Sequence, residues 1–436
     1  MKKALIAVIL AGGGGTRFWP LVTNKVLFPF FEKTFFDLAI RPSLPPEVTK
    51  AVIITSPEAS PAYRDLKFSV PTLTVVQPEP RGMADALLVA ATQIENASLL
   101  IILADDLVDN AWFSQVVRAG LKTKSFGIVT GWNTKKYFPG GYLLFKDKQV
   151  IGIKEKPGEG NEPSDFVNIT GHYIAEANLL LDEIRRTSGD TDDIYEKALT
   201  GLMQKHQFGF LPYQGTFSTL KYPWQILDIL NQLFARNFKG KVGKNVQIKN
   251  NVTLEGEIII QDNVIIFENT KIIGPCYIGP NTIIGNNNLI RASHLGANCV
   301  TGFNTDISRS YIGSDCWFHA NYIGDSVLES NISLGSGAVL ANLRLDEGEI
   351  SSVVNGQKIN TQRNKLGAII AKNVRVGVNA SIMPAVKVGS NSFIGAGVVQ
   401  ARDLAENSFC SAKINCEVLR NKVNTSRDRE EFRRKI

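Results

Sequence analysis

The sequence predicts an α/β domain with a mostly parallel, Rossmann-like sheet, followed by a left-handed parallel β-helix. Three observations predict this order. The 436 residues exceed what one hydrophobic core usually spans. Short apolar runs alternate with helix-like stretches up to residue 238, and a six-residue repeat begins after it. We therefore predict one domain over 1–238, a second over 239–420, and a charged tail over 421–436.

The first domain is predicted from alternating strand and helix patterns. Apolar, β-rich runs occupy 51–55, 72–77, 98–106 and 125–131, and helical patterns occupy 83–96 and 110–124. Strands alternating with helices are typical of a parallel sheet covered on both faces. Ligands of such sheets bind at the carboxyl ends of the strands. We therefore expect the functional residues of this half in the loops that follow its strands.

The second domain is predicted from a repeat such as VGKNVQ at 242, IGPNTI at 278 and VGVNAS at 376. An aliphatic residue recurs every six positions, usually followed by glycine and then by Asn, Asp or Gly. Each unit would form one side of a triangular coil, with the aliphatic side chain inside and glycine or asparagine at the corner. The segment 341–367 interrupts the repeat and is expected to form a surface insertion.

Composition excludes several classes of protein. The first apolar run, Ala4 to Ala11, is too short to span a membrane and leads into glycines rather than a cleavage site. The net charge of +7 owes much to the tail, where basic and acidic residues mix, so nucleic-acid binding is not favoured. Five cysteines without a C-x-x-C pair predict reduced, buried thiols and a cytoplasmic location.

A glycine run follows the first predicted strand in LAGGGGTRFWPL, residues 10–21. Unhindered backbone N–H groups in such a turn can bind anionic oxygens. It is neither a Walker loop nor the G-x-G-x-x-G of dinucleotide folds. Arg17 directly after it and Lys25 nearby supply positive charge. Together these residues predict a phosphate site.

This stretch, with Lys25 and LFPF, resembles the L-A-G-G-x-G-T-R-x-x-P-L…K…L-x-P signature of the sugar-1-phosphate nucleotidyltransferases. Its junction with a β-helix resembles the bifunctional N-acetylglucosamine-1-phosphate uridyltransferase and glucosamine-1-phosphate acetyltransferase family. ANLRLD…KLGAIIAKNVRVGVNASIMPAVKVG resembles the archaeal-type branch. The resemblance covers Leu10 to about Asp403 and implies an enzyme with an α/β nucleotidyltransferase domain. A sugar-1-phosphate oxygen would attack the α-phosphorus of a nucleoside triphosphate, with Mg²⁺ and without a protein nucleophile.

The resemblance also implies site residues in the first domain. Arg17, Lys25 and Asp105 would be catalytic, Asp105 also as the Mg²⁺ ligand. The remaining residues would bind the nucleotide (Leu10, Ala11, Gly12, Gly13, Gly15, Thr16, Gln77 and Gly82) or the sugar (Glu155, Lys156 and Asn168). Without the resemblance, Asp105 could simply end a strand, and Glu155 with Lys156 could be a solvated hairpin pair.

The chain departs from the family pattern at three places in this domain. Thr219 stands where a second metal-binding aspartate is usual, and a neutral hydroxyl is a poor ligand for Mg²⁺. Asp228, or Asp192 with Asp193, could replace it. Leu143 adds a side chain where backbone normally approaches the sugar, and Met83 replaces a threonine.

The segment WFHANYIGDSVLESNISLGSGAVLANL resembles the acetyltransferase part of the family. His319 would be the general base toward acetyl-CoA, Tyr322 a substrate contact, and Asn342 and Lys365 groups near the acyl acceptor. The alternative is that His319 is an ordinary outward residue. Ser308 and Lys372 depart from the family pattern. Flat coil faces also predict a homotrimer.

The leading hypothesis is an enzyme that forms UDP-N-acetylglucosamine, with a second, acetyl-CoA-dependent activity as a possibility. FWP after the arginine favours mannose-1-phosphate guanylyltransferase as one alternative, and a glucose-1-phosphate nucleotidyltransferase is another. A catalytically degenerate regulatory paralogue is the third, favoured by Thr219 and Lys372. It is opposed by four intact residues: Arg17, Lys25, Asp105 and Glu155.

Overall fold

A computed structural model of the chain describes residues 3–64, 66, 68–123, 125–189, 193–236, 238–413, 417–423 and 429–435. The first domain holds one large sheet between two apolar clusters, and a third apolar cluster fills the coil of the second domain. In the tail, the described residues include one short helix, Arg429–Arg433; residues 424–428 lie outside the described part.

The first domain contains the elements expected from the sequence pattern. The strands are β1 (Leu5–Ala11), β2 (Pro29–Phe30), β3 (Lys33–Thr34), β4 (Lys50–Thr55), β5 (Thr72–Val76), β6 (Ser98–Leu103), β7 (Asp106–Leu107), β8 (Gly127–Asn133), β9 (Gly141–Lys146), β10 (Gln149–Glu155), β11 (Phe166–Asn168), β12 (His172–Ile174), β13 (Phe208–Tyr213) and β14 (Ser218–Thr219). The helices are α1 (Phe35–Ala39), α2 (Ser60–Arg64), α3 (Met83–Val89), α4 (Ala91–Ile94), α5 (Trp112–Lys122), α6 (Ala177–Arg186), α7 (Ile194–Lys205) and α8 (Ile226–Ala235). The described residues of the domain also form four 3₁₀ turns: Thr16–Phe18, Lys25–Leu27, Arg41–Ser43 and Pro223–Gln225.

The large sheet is mixed, which corrects the prediction of a mostly parallel sheet. Its order is β10-β9-β11-β8-β12-β6-β1-β4-β5, with β13 beside β8. The edge from β6 to β5 is parallel, whereas β9 to β12 pair antiparallel. Crossover helices connect the parallel strands, but β9 and β10 are joined by a two-residue turn with positive φ at Asp147 and Lys148. The remaining α/β architecture is as predicted.

Parallel pairing brings two loops together at one edge of the sheet. β1 and β6 are neighbours, and Leu10 pairs with Leu103 at their carboxyl ends. The glycine run therefore emerges beside Asp105, although the two are far apart in sequence. The strand-end rule predicts such a meeting point for ligands.

The second domain is a β-helix of three parallel sheets, as predicted. The first face contains Lys241–Val242, Ile258–Ile260, Cys276–Ile278, His294–Leu295, Tyr311–Ile312, Val327–Leu328, Ile369–Ile370 and Lys387–Val388. The second contains Gln247–Ile248, Ile265–Ile266, Ile283–Ile284, Val300–Thr301, Trp317–Phe318, Ser333–Leu334, Arg375–Val376, Phe393–Ile394 and Phe409–Cys410. The third contains Thr253–Glu255, Lys271–Ile273, Leu289–Arg291, Asp306–Ser308, Tyr322–Gly324, Val339–Leu340, Ser381–Ile382 and Val399–Gln400.

Asparagine and glycine serve different purposes in the repeat. Asn263 and Asn281 occupy corners with φ of 61° and 58°, and the Asn263 amide donates to Asn281 Oδ1 over 3.0 Å. Asparagine tolerates this left-handed conformation better than other side-chain-bearing residues. Gly296, by contrast, is required by close stacking, since a Cβ there would lie 2.6 Å from the carbonyl carbon of Gly313.

The first face of the coil packs against the first domain. Tyr277, His294 and Tyr311 form a buried stack with ring centroids 4.9 and 4.6 Å apart. The Phe31 amide donates to His294 Nε2 over 3.1 Å. The insertion at 341–367 contains the hairpin Ile350–Val354 and Gln357–Arg363, which reaches the same domain. The two domains therefore share a continuous apolar interface.

Candidate active site

The glycine run forms an open turn between β1 and the Thr16–Phe18 turn. Gly15 has a φ of 64°, a conformation that favours glycine. Gly12 lies so close to Gln77 that a Cβ would approach its Oε1 to 3.0 Å. The loop therefore presents backbone, rather than side chains, to the space beside it.

A cavity of about 270 Å³, here termed the loop cavity, lies against this turn. It is lined by every residue expected to bind the nucleotide, together with three residues expected to be catalytic: Leu10, Ala11, Gly12, Gly13, Gly15, Thr16, Gln77, Gly82, Arg17, Lys25 and Asp105. Residues from four separate loops are thus brought to one cavity.

Gln77 is held rigidly at the wall of the loop cavity. Its side-chain Nε2 donates to the Gly82 carbonyl over 3.1 Å and to Asp85 Oδ2 over 2.7 Å. Both partners are acceptors, so the amide orientation is fixed by the network. Both side-chain N–H groups of Gln77 are therefore already hydrogen-bonded, and only its side-chain oxygen can bind a ligand in the loop cavity.

A second cavity of about 190 Å³, here termed the strand cavity, adjoins the first and contains Glu155, Lys156 and Asn168. Lys156 has a φ of 42° and pairs with Glu155 over 3.1 Å. Glu155 lies beside Gly141, where a Cβ would approach its Oε2 to 3.0 Å. Polar side chains and the glycine backbone at Gly141 therefore line the strand cavity together.

His172 fixes the orientation of Asn168. The His172 ring nitrogens lie 2.8 Å from the Tyr195 hydroxyl and 2.8 Å from Asn168 Oδ1. Burial lowers the pKa of His172 to about 4, so the ring is neutral near pH 7. A neutral ring that donates to Oδ1 leaves the Asn168 N–H groups facing the strand cavity.

The two cavities share one junction, lined by Arg17, Met83, Leu103, Asp105 and Lys221. Lys25 forms an ion pair with Asp105 there. The Arg17 guanidinium is exposed and lies 5.9 Å from the Tyr222 ring centroid. Positive charge therefore predominates where ligands in the two cavities would meet.

Asp105 of this junction and its neighbour Asp106, which lines only the strand cavity, have opposite pKa shifts. Burial disfavours ionisation of Asp105, but its contact with Lys25 outweighs burial and lowers the pKa below its usual value. Asp106 is buried and next to Asp105, and both effects raise its pKa to about 7. Near neutral pH the junction thus holds one firmly ionised carboxylate.

The described residues do not fit a resident Mg²⁺ site. Asp105, the expected ligand, is already paired with Lys25, and Thr219 supplies only a hydroxyl opposite Asp106 in the β14–β7 ladder. No group of three or more His, Cys, Asp or Glu side chains that could hold a metal was found among the described residues. Mg²⁺ prefers charged oxygen ligands, and here Asp105 is already paired while Thr219 has only a neutral hydroxyl. Binding of Mg²⁺ therefore stays a prediction that rests on the resemblance.

The two described carboxylates considered as replacements for the missing aspartate are each paired with a basic side chain and do not line the junction. Asp228 forms an ion pair with Arg363 of the hairpin. Asp193 pairs with Lys197 over 2.9 Å on α7, and Asp192 lies outside the described residues. Leu143, expected to crowd the sugar, is buried in the core instead, while Met83 does line the junction.

The residues expected for acetyl transfer lie in the second domain and differ in exposure, with Asn342 buried and Tyr322 half-buried. Tyr322 and Asn342 are neighbours, since a Cβ at Gly324 would approach the Tyr322 hydroxyl to 2.7 Å and Asn342 Nδ2 to 2.5 Å. Asn342 donates to Asp325 over 2.5 Å. His319 and Lys365 are exposed. The structure thus brings Tyr322 and Asn342 together and leaves the other two on open surface.

Two residues of the first-domain site were not predicted as functional from the sequence. His172 stands within the recognised VNITGHYI segment, but its role depends on contact with Tyr195. Lys221 lies two residues after Thr219, the place where the family pattern fails. That departure was the available signal for Lys221.

Comparison with known proteins identifies the first domain. A family model described as nucleotidyl transferase matches residues 6–212. "Bifunctional protein GlmU" of Methanococcus vannielii is 28% identical over 439 residues, covering 93% of this chain and 97% of that protein. A "Bifunctional sugar-1-phosphate nucleotidylyltransferase/acetyltransferase" of Sulfurisphaera tokodaii is 29% identical over 418 residues, covering 92% and 99%. A solved UDP-glucose pyrophosphorylase of Acinetobacter baumanii has a TM-score of 0.46 at 17% identity, covering 54% of this chain and 95% of that one.

The fold, the joined cavities and these similarities define an enzyme of the nucleotidyltransferase class. Over more than nine-tenths of its length the chain is similar to proteins with these two names, and the resemblance expected from the motifs is confirmed. In the described part of the chain, none of the helices has the length and apolar character needed to cross a membrane.

Proposed function

We propose that the first domain transfers a nucleotidyl group from a nucleoside triphosphate to a sugar-1-phosphate and releases pyrophosphate. The observation that carries this proposal is the junction of the two cavities through Arg17, Asp105 and Lys221. One cavity is walled by a glycine loop suited to phosphates, and the other by acceptors and donors suited to sugar hydroxyls. The names of the relatives support the same substrates.

The proposed reaction forms a bond between a phosphate oxygen of the sugar-1-phosphate and the α-phosphorus of the nucleotide. The bond from that phosphorus to the bridging oxygen of the leaving pyrophosphate breaks, and pyrophosphate takes the electron pair. Arg17 and Lys25 stabilise the charge on the transferring phosphate, and Asp105 orients Lys25. Glu155 and Asn168 hold the sugar in the strand cavity.

Gln77 favours a base with an N–H group on its pairing edge. It presents an acceptor oxygen because both its N–H groups bind Gly82 and Asp85. Uracil and guanine carry a matching ring N–H, whereas adenine and cytosine present a ring acceptor there. A polar site of this kind discriminates strongly against bases that leave it unpaired. UTP or GTP is therefore the proposed nucleotide.

UDP-N-acetylglucosamine is our first choice of product. Mannose-1-phosphate guanylyltransferase is the alternative that Gln77 equally supports, and a glucose-1-phosphate nucleotidyltransferase differs from the first choice in its sugar. A regulatory paralogue that binds a nucleotide sugar without turnover remains the alternative from another class, since Thr219 removes a carboxylate from the junction. Cytoplasmic location also stays a prediction.

Pyrophosphate release across a grid of nucleoside triphosphates and sugar-1-phosphates tests the proposal. The grid includes UTP, GTP, ATP and CTP with N-acetylglucosamine-1-phosphate, mannose-1-phosphate and glucose-1-phosphate, each with Mg²⁺ and with EDTA. We expect turnover with UTP or GTP and with one sugar. Tight nucleotide binding without turnover in any combination would favour the regulatory alternative.

Acetyl transfer from acetyl-CoA to glucosamine-1-phosphate is the second candidate function, and it belongs to the β-helix. The adjacent Tyr322 and Asn342 support it, as does the printed name of the relative from Sulfurisphaera tokodaii. His319 would take the proton of the attacking amine. Because His319 and Lys365 are exposed, we propose that assembly of chains into a trimer completes this site. Coenzyme A release with glucosamine-1-phosphate is the test.

A further inference from the structure

Lys221 is placed at the junction by the backbone around it. β14 pairs antiparallel with β7, and the Leu220 amide extends the ladder by donating to the Asp105 carbonyl over 2.9 Å. The Lys221 amide donates to Gln225 Oε1 over 2.8 Å, and this bond links Lys221 to the following turn, Pro223–Gln225. This ladder places the Lys221 side chain beside Asp105, where it lines both cavities.

The Lys221 ammonium differs from Lys25 in its partners. Lys25 is bound to Asp105, whereas no carboxylate in the described part of the chain forms an ion pair with Lys221. Its ammonium lies 4.8 Å from the Phe138 ring centroid. Burial lowers the pKa of Lys221, and the nearby Asp106 and Asp105 oppose that shift. Lys221 thus has donors left for a ligand at the junction.

The charges around the junction favour a polyanion over a divalent cation. Arg17, Lys25 and Lys221 all line the loop cavity, and the one carboxylate among the residues that line it, Asp105, is already paired with Lys25. Coulomb attraction in a partly buried site therefore acts on phosphate oxygens, and a metal ion would meet nearby ammonium groups.

We propose that the Lys221 ammonium binds phosphate oxygens where the two substrates meet, and that it holds the nucleotide without a protein-bound metal ion. The inference rests on the proposed nucleotidyl transfer. In this chain a lysine then supplies positive charge at a site whose carboxylates do not suit Mg²⁺. On this view, Lys221 supplies positive charge at the place where Thr219 removes a carboxylate.

Nucleotide binding without metal tests the proposal independently of turnover. Binding of UTP and of GTP is measured by calorimetry for the full chain, in EDTA and in Mg²⁺. The variant is Lys221→Met, which keeps the length of the side chain and removes its charge. The matched control is Lys154→Met, an exposed lysine on β10 that lines neither cavity. Thermal unfolding of each variant establishes that it is folded.

We expect the wild-type protein to bind one of the two nucleotides in EDTA about as tightly as in Mg²⁺. Lys221→Met should lose at least about tenfold in affinity in EDTA, the effect of one charge-assisted hydrogen bond, and Lys154→Met should lose none. The double variant Thr219→Asp with Lys221→Met should bind nucleotide only when Mg²⁺ is present.

Two results would overturn the inference and leave the proposed function standing: nucleotide binding and pyrophosphate release that both require Mg²⁺, or Lys221→Met binding as tightly as wild type in EDTA. Absence of nucleotide binding in both buffers would contradict the inference and the proposed function together. The two failures are therefore distinguishable.

Discussion

The two candidate sites differ in how much of each a single chain builds. At the junction in the first domain, loops from several strands enclose the functional side chains, and Gln77 and Asn168 are fixed by further hydrogen bonds. On the β-helix, Tyr322 and Asn342 are held together, but His319 and Lys365 stand on open surface. A single chain therefore encloses the side chains of the first site, whereas it leaves two of the four side chains of the second site exposed.

The difference follows from the two folds. Loops at the carboxyl edge of an α/β sheet are long enough to fold over a cavity. Strands of a coil present outward side chains on nearly flat faces and form no enclosure by themselves. The first face of this coil is covered by the first domain, whereas Trp317 on the second face is 54% exposed. The second face therefore remains available for another chain.

Asp105→Asn is expected to have the largest effect on the first site. The substitution removes the charge that orients Lys25, and pyrophosphate release should fall at least about 100-fold, as for loss of a preorganised electrostatic group. The measurement is pyrophosphate release with the best substrates from the grid. Asp147→Asn in the exposed turn between β9 and β10 is the control. Unchanged turnover would show that Asp105 has no part in the reaction.

His172→Phe is expected to act more weakly and on one substrate. Without the ring nitrogens Asn168 loses its fixed orientation, and kcat/KM for the sugar-1-phosphate should fall about tenfold, the usual effect of a lost hydrogen bond in a buried network. Nucleotide affinity should not change, because His172 lines only the strand cavity. An equal loss for both substrates would indicate general damage to the domain instead of a positioning role.

The sequence predicted the residues of the loop cavity better than the role of Lys221. Gly12, Arg17 and Asp105 stand in motifs that directly follow strands, and the rule for strand ends applies to them. Lys221 depends on the ladder between β14 and β7, whose partners are over 100 residues apart, and no local pattern indicates that pairing. The mixed sheet was missed for the same reason, because hairpin pairing replaces crossovers beyond β8.

His294 at the domain interface gives a pH dependence of stability. Burial lowers its pKa to about 4, against 6.5 for an unfolded histidine, so the unfolded chain binds the additional proton between these values. The stabilising contribution is therefore fully present above pH 6.5 and is lost as the pH falls toward 4, by up to about 3 kcal/mol. A protonated Nε2 could no longer accept from the Phe31 amide.

His294→Phe keeps a ring in the stack and removes this titration. We expect the variant to be less stable than wild type by about 1–2 kcal/mol at pH 7, since the Phe31 amide loses its acceptor. The difference should shrink as the pH falls and reverse in sign near pH 4, because the loss of up to about 3 kcal/mol in wild type exceeds its advantage at pH 7. Urea unfolding at several pH values measures both chains. A difference that stays constant with pH would contradict the assigned pKa.

His319→Ala is expected to leave the first site unchanged and so sharpens the contrast between the two domains. Pyrophosphate release should equal that of wild type, because His319 lines neither cavity. Release of coenzyme A from acetyl-CoA with glucosamine-1-phosphate should be lost if His319 is the base.

Trp317→Glu tests assembly of the chains. A charge on the exposed second face should disrupt trimers and reduce coenzyme A release without affecting pyrophosphate release. Parallel loss of both activities in either variant would mean that the domains do not function independently.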